Sequence, residues 1–239
     1  MNTNNLPVSC YILGYSGIDG YLTYKNNHIK DISHNESLVS QGMDASAAII
    51  KDGKIIAACA EERFTGQKHT GRFPKNAIDA CLEIAGITID EISIIGHNFN
   101  YEPYGALFDL NDYSRKLFDD VLSDKAQITL FKKNYGIDIA DRFHALEHHE
   151  THAAYAFETS GFDNSLVAVA DGLGEYNSIS IYIGDKTSGL TLLKTYGPTS
   201  SLGLLYSAVT DYLGFITNSL TGDSRRMDGW LSVRLAGRG

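Results

Sequence analysis

Apolar and polar positions fall into two alternating regimes along the chain. Short apolar runs bounded by turn residues predict buried strands at Cys10 to Gly14, at 45–50 and 55–59, and at Leu166 to Ala170. Ser178 to Ile183 alternates as SISIYI and predicts a further strand, returning as Leu190 to Tyr196 after a Gly/Asp-rich turn. Between the runs 45–50 and 55–59 stands Lys51-Asp52-Gly53-Lys54. Asp-Gly there predicts a type I′ hairpin, because both central residues of that turn need positive φ. Helical spacing takes over at Ala77, Ile78, Cys81, Leu82 and Ala85, with Pro74 suited to the first turn and Gly86 to the C-cap. Helices are also predicted over 104–135, with Leu107, Leu110, Leu117, Phe118 and Val121 as the apolar set, over His144 to Phe157, and over Leu204 to Leu213 with Gly214 as cap. Asp90 to Asn98 reads as a parallel-type strand.

The two hairpins repeat one plan. Each begins with an acidic residue in a small-residue turn (Asp44, Asp171), runs up an apolar strand and comes back. Paired units of this kind, their carboxylate-bearing turns facing across a nucleotide cleft, are the arrangement of the actin/hexokinase/Hsp70-like (ASKHA) fold. The fold class expected is therefore α/β of that type. Residues 15–42 are polar and turn-rich and read as a long surface insertion. Residues 1–9 read as a disordered lead, 10–218 as one domain, and 219–239 as an atypical tail without apolar periodicity.

Composition narrows the function classes. With 20 Lys plus Arg against 29 Asp plus Glu the net charge is −9, which argues against nonspecific nucleic-acid or anionic-membrane binding. No run approaches the ~20 apolar residues of a membrane helix. The N-terminus lacks signal-peptide features. The three cysteines, Cys10, Cys59 and Cys81, lie far apart among apolar neighbours and read as reduced core thiols. A cytoplasmic protein is expected.

The densest candidate chemistry lies between Phe143 and Glu175. His148 and His152 are four apart, so a helix puts both imidazoles on one face, a good chelate for a divalent metal. His149 points about 100° away. A zincin is excluded, because His149 occupies the place of the glutamate that follows the first histidine of that motif. The alternative is a polar helix face with solvated histidines. Asp171, at the end of a strand, can complete a three-ligand set. The following turn, Gly172-Leu173-Gly174, could offer backbone N–H groups to phosphate, or be only a turn. Lys68 and His69 could neutralise phosphate, or lie on a solvated loop.

Four stretches in order, GMDASAAIIKDGKIIAACAEERFTGQKHTGRFPKNAI, EHHETHAA, VAVADGLGE and YGPTSSLGLLYSAVTDYLGF, resemble the N-terminal, Kae1-like domain of the NodU/TobZ-type carbamoyltransferases over about residues 10–218. The resemblance implies ATP-dependent O-carbamoyl transfer from carbamoyl phosphate to a small-molecule hydroxyl. Carbamoyl-adenylate would form on a YrdC-like C-terminal domain or a separately encoded equivalent. The resemblance makes His148, His152 and Asp171 ligands of a metal, commonly iron. It makes Lys68 a phosphate contact, Gly172 and Gly174 the nucleotide lining, and the Asp44 turn part of the catalytic site. A kinase on the same fold and a non-catalytic binding domain are the competing readings.

Two departures from the family pattern stand out. Met43 occupies the place of a histidine common before the acidic residue of the first turn, so His28 or His34 from the insertion would have to replace it. The family continues after Phe215 into a loop resembling Met-Gly-x-Ala-Pro-Tyr-Gly, where this chain has SRRMDGWLSVR. One codon choice for that stretch reads AGEWMAGSPYG in the next frame. A one-nucleotide shift near residues 221–224 is therefore expected, with loss of the YrdC-like part and of a further acidic ligand; sequencing the gene decides it.

Overall fold

The computed structural model describes residues 10–30 and 41–213. The lead 1–9, residues 31–40 with His34, and residues 214–239, with the expected cap Gly214 and the tail 219–239, lie outside them. The chain divides into two compact units at Leu146/Glu147, each described by itself.

The first unit is built on a five-stranded sheet. Its strands are β1 (Tyr11–Ser16), β2 (Ser46–Lys51), β3 (Lys54–Ala60), β4 (Ile92–His97) and β5 (Phe143–Ala145), in the order β3-β2-β1-β4-β5. Only β2 runs against its neighbours; β1, β4 and β5 are parallel. The unit is thus a mixed sheet with helices against it, of the α/β class expected. The Asp52-Gly53 turn joins β2 to β3 with φ of 48° and 76°, the two positive values that a type I′ turn demands. Alternate residues Leu13, Tyr15, Ala47 and Ile49 point into the core. There they meet Ala77, Ile78, Cys81 and Leu82, the i, i+1, i+4, i+5 stripe of a helix at Lys75–Ala85. Burying a side chain such as Ile49 or Ile78 completely stabilises by about 1.5–3 kcal/mol. The helix ends at Gly86 in the left-handed conformation; Pro74 is its N-cap residue.

Three expectations are refined or corrected here. The stretch 104–135 is helical, as expected, but in separate pieces. A 3-10 segment (Glu102–Leu110), a helix (Asp112–Leu117), a π turn (Phe118–Leu122) and a second helix (Asp124–Tyr135) follow one another. The chain restarts twice because Asn111 and Ser123 accept N-cap hydrogen bonds from Ser114 and Ala126. Second, no helix begins at His144: Phe143–Ala145 pairs with β4, and the helix starts only at His148. Third, 15–42 is not simply a surface loop. β1 runs to Ser16, and a helix at Tyr21–His28 packs Tyr21 and Tyr24 against an aromatic cluster with Phe99, Tyr101, Phe118 and Val121.

The second unit is an antiparallel meander, β6 (Asn164–Ala170), β7 (Ile179–Asp185) and β8 (Gly189–Tyr196), with helices at His148–Ser160 and Leu202–Tyr212. Ala153 and Phe157 of the first helix bury Val167, Val169 and Tyr182. The repeat seen in the sequence is thus a three-strand unit: β1-β2-β3 and β6-β7-β8 are both meanders. Asp44 and Asp171 each stand between the first and second strand. Among the described residues no helix is long and apolar enough to cross a membrane.

Candidate metal centre

The helix His148–Ser160 begins where the chain leaves β5. Glu147 is extended (ψ 134°) and its side chain makes no cap. The cap comes from across the unit: Glu175 accepts the His148 backbone N–H at 2.9 Å. A carboxylate there complements the positive end of the helix dipole. His148 therefore sits at the first helical position, and His152 follows one turn later.

The two rings meet as the four-residue spacing requires, with His152 Nε2 3.1 Å from His148 Nε2. Asp171, immediately after β6, brings Oδ2 to 2.9 Å from His148 Nε2. One ligand atom from each of the three lies within 4.8 Å of the others. Ligands about 2.1 Å from a six-coordinate ion are ~3.0 Å apart along an edge, so the two short separations already have the size of a coordination edge. A single proton at His148 Nε2 can be donated to one neighbour at a time, whereas a cation would satisfy all three donors. Two imidazoles and one carboxylate suit a divalent transition metal.

The electrostatics favour the ionised form of Asp171 and the neutral form of His152. The hydrogen bond from His148, helped by the Gly172 N–H, holds the Asp171 carboxyl at about 2 despite partial burial. Burial first, then the His148 charge, pushes His152 below the ordinary histidine range. His149 is 2% exposed, and its Nδ1 lies 2.7 Å from Ser180 Oγ. It is packed into the unit and away from the ligand set.

The glycine turn is closed by its own hydrogen bonds. The Gly172 N–H is given to Asp171 Oδ1 at 2.6 Å and the Gly174 N–H to the Asn177 carbonyl at 2.8 Å. A Cβ on Gly174 would stand 3.3–3.4 Å from His149 Cδ2 and His148 Cβ, so this glycine lets the turn lie against the helix start. Two residues that pattern reading left without a role hold the site. Glu175 caps the ligand helix. Ser201, N-cap of the helix Leu202–Tyr212, donates to the carbonyls of Gly172 (2.6 Å) and Asp171 (3.1 Å). A serine just ahead of an apolar helix was the available signal for the second.

Asp44 and Lys68 belong to the first unit. Asp44 lies just before β2 with Oδ1 3.0 Å from His69 Nδ1, and Lys68 is exposed on the neighbouring turn.

A family model described as "Carbamoyltransferase N-terminus" matches residues 39–231. Nodulation protein NolNO of Sinorhizobium fredii is 32% identical over 174 residues, which is 72% of this chain and 25% of that protein. The Synechocystis sp. protein sll1178 is 36% identical over 197 residues, 74% of this chain and 31% of its own length. The chain thus spans a quarter to a third of these relatives. YeaZ from Pseudomonas aeruginosa aligns over 79% of this chain and 68% of its own with a TM-score of 0.39 and 9% identity, too slight a likeness to argue from.

Proposed function

The chain belongs to the carbamoyltransferase N-terminus family, and from that premise we propose that it serves O-carbamoyl transfer to the hydroxyl of a small molecule. The donor is carbamoyl phosphate, activated with ATP to carbamoyl-adenylate on a YrdC-like domain that lies elsewhere in the same protein or on a partner. The observation behind this reading is the convergence of His148, His152 and Asp171 inside the matched span.

In this reading His148, His152 and Asp171 hold a divalent metal, with iron best suited to the donor set. The metal supplies Lewis acidity and charge neutralisation at phosphate oxygens. Glu175 and Ser201 keep the two ligand-bearing segments in place. Gly172 and Gly174 line the nucleotide, Gly172 with open space beside it and Gly174 by letting the turn lie against the helix start, their N–H groups being engaged within the turn. Lys68 contacts phosphate, and the Asp44 turn belongs to the catalytic machinery.

The test is product formation. Purified chain is mixed with the YrdC-like domain of a full-length relative, carbamoyl phosphate, ATP and iron(II) under anaerobic conditions, with methanol as a minimal hydroxyl acceptor. Methyl carbamate is read by mass spectrometry. Formation that requires both proteins supports the reading. ATP turnover without carbamoyl phosphate, and no carbamate, would replace it with a kinase.

A further inference from the structure

We propose that His69, oriented by Asp44, is the general base that takes the proton from the acceptor hydroxyl; this rests on the carbamoyl-transfer reading above. The observation is the 3.0 Å contact between His69 Nδ1 and Asp44 Oδ1. A carboxylate bound at Nδ1 fixes the tautomer with its proton there and leaves Nε2 as the basic atom. The pair is reachable: the His69 side chain is 24% exposed and that of Asp44 52%.

The surroundings make the pair a built feature. The Ala45 N–H donates to the Thr70 carbonyl at 2.8 Å, tying the Asp44 turn to the His69 loop. Gly42 runs so close to Ile18 that a Cβ would stand 2.4 Å from the Ile18 nitrogen. His69 is held at φ 55°, a left-handed conformation that costs a residue with a side chain. An exposed polar contact of this kind returns little stability. A pair that persists in a costly backbone conformation, on a pinned loop, points to chemistry rather than to folding. His28 is engaged elsewhere, its ring stacked 4.0 Å from Tyr24 and its Nδ1 2.8 Å from the Tyr24 carbonyl.

In the step, the acceptor oxygen bonds to the carbamoyl carbon. The bond from that carbon to the phosphate oxygen breaks, and its electron pair leaves with AMP. The hydroxyl proton passes to His69 Nε2 and from there to water. Asp44 is a positioning residue that holds the imidazole.

The test uses the two-protein mixture with methanol as probe. His69→Ala and His69→Gln are expected to lower the rate of methyl carbamate formation by about a hundredfold or more. Added imidazole is expected to restore activity to His69→Ala, which a structural role would not allow. Asp44→Asn is expected to lower the rate about tenfold or more, and His28→Ala to leave it unchanged. Side-chain nitrogen NMR of the wild-type chain reads the tautomer without any turnover. The Nδ1–H form is expected, and an Nε2–H form overturns the assignment. Wild-type transfer with His69 variants retaining more than a third of the rate, or with losses that imidazole does not repair, overturns the base and leaves carbamoyl transfer standing. No transfer by the wild type overturns both.

Discussion

Gly203 gives the sharpest test of how the Asp171 turn is held. It lies in the first turn of the helix Leu202–Tyr212, and a Cβ there would stand 2.6 Å from both the Cα and the nitrogen of Gly172. Carbon contacts are comfortable at about 3.5–4.0 Å, so Gly203→Ala asks the facing backbone to retreat by about 1 Å. Backbone offers no rotamer to swing away, and Ser201 anchors the same turn through two carbonyls. Two effects compete. Alanine improves helix propensity by up to about 1 kcal/mol, less in a first turn. Overpacking costs about 1–3 kcal/mol. Overpacking wins, for a net loss of about 1–2 kcal/mol, or a melting temperature lower by about 4 °C. The displaced turn also lengthens the 2.9 Å approach of Asp171 to His148, so iron(II) affinity should fall about tenfold. Calorimetry and anaerobic metal titration read both, with Gly14→Ala, where a Cβ meets nothing within 4 Å, as control. A melting temperature that stays level or rises in Gly203→Ala would refute the close approach.

Two further predictions concern the first unit. Glu61 is 4% exposed and accepts from the Ala77 N–H (2.8 Å) and Asn76 (2.6 Å), so Glu61→Ala should destabilise by about 3 kcal/mol in urea unfolding, and Glu61→Gln by about half as much. His97 is held at about 4 by burial, against the carbonyls of Gly17 and Phe99 that favour its charged form. The unfolded chain takes up that proton first as pH falls. The stability is therefore complete above about pH 6.5, declines towards pH 4 and is flat below, a span of about 3 kcal/mol. His97→Gln should flatten the decline; an unchanged slope would mean that His97 titrates in the fold as it does in the unfolded chain.

Much of the first unit was legible in the apolar pattern. The Asp52-Gly53 turn, the Ala77/Ile78/Cys81/Leu82 stripe and the Gly86 cap each follow from local chemistry, and local chemistry decided them. Pattern reading failed where tertiary pairing overrode it. His144 and Ala145 fit the start of a helical run by pattern, yet with Phe143 they pair with β4, a partner nearly fifty residues earlier whose register no local signal announces. The breaks within 104–135 were legible in principle, since Asn111 and Ser123 are good N-caps; continuous apolar spacing masked them. At the candidate centre, the His148/His152 spacing and the strand-end place of Asp171 could be read off the chain. Glu175 as a cap and the Asp44–His69 contact could not, because each joins segments 25 or more residues apart.

The central claim is that His148, His152 and Asp171 form one metal site. Anaerobic iron(II) titration of the purified chain, followed by metal analysis, tests it most directly. The account predicts one equivalent bound by the wild type and loss of binding in His148→Ala, His152→Ala and Asp171→Asn, with each variant still folded by circular dichroism. A wild-type chain that binds no divalent metal, or variants that bind as the wild type does, would contradict it.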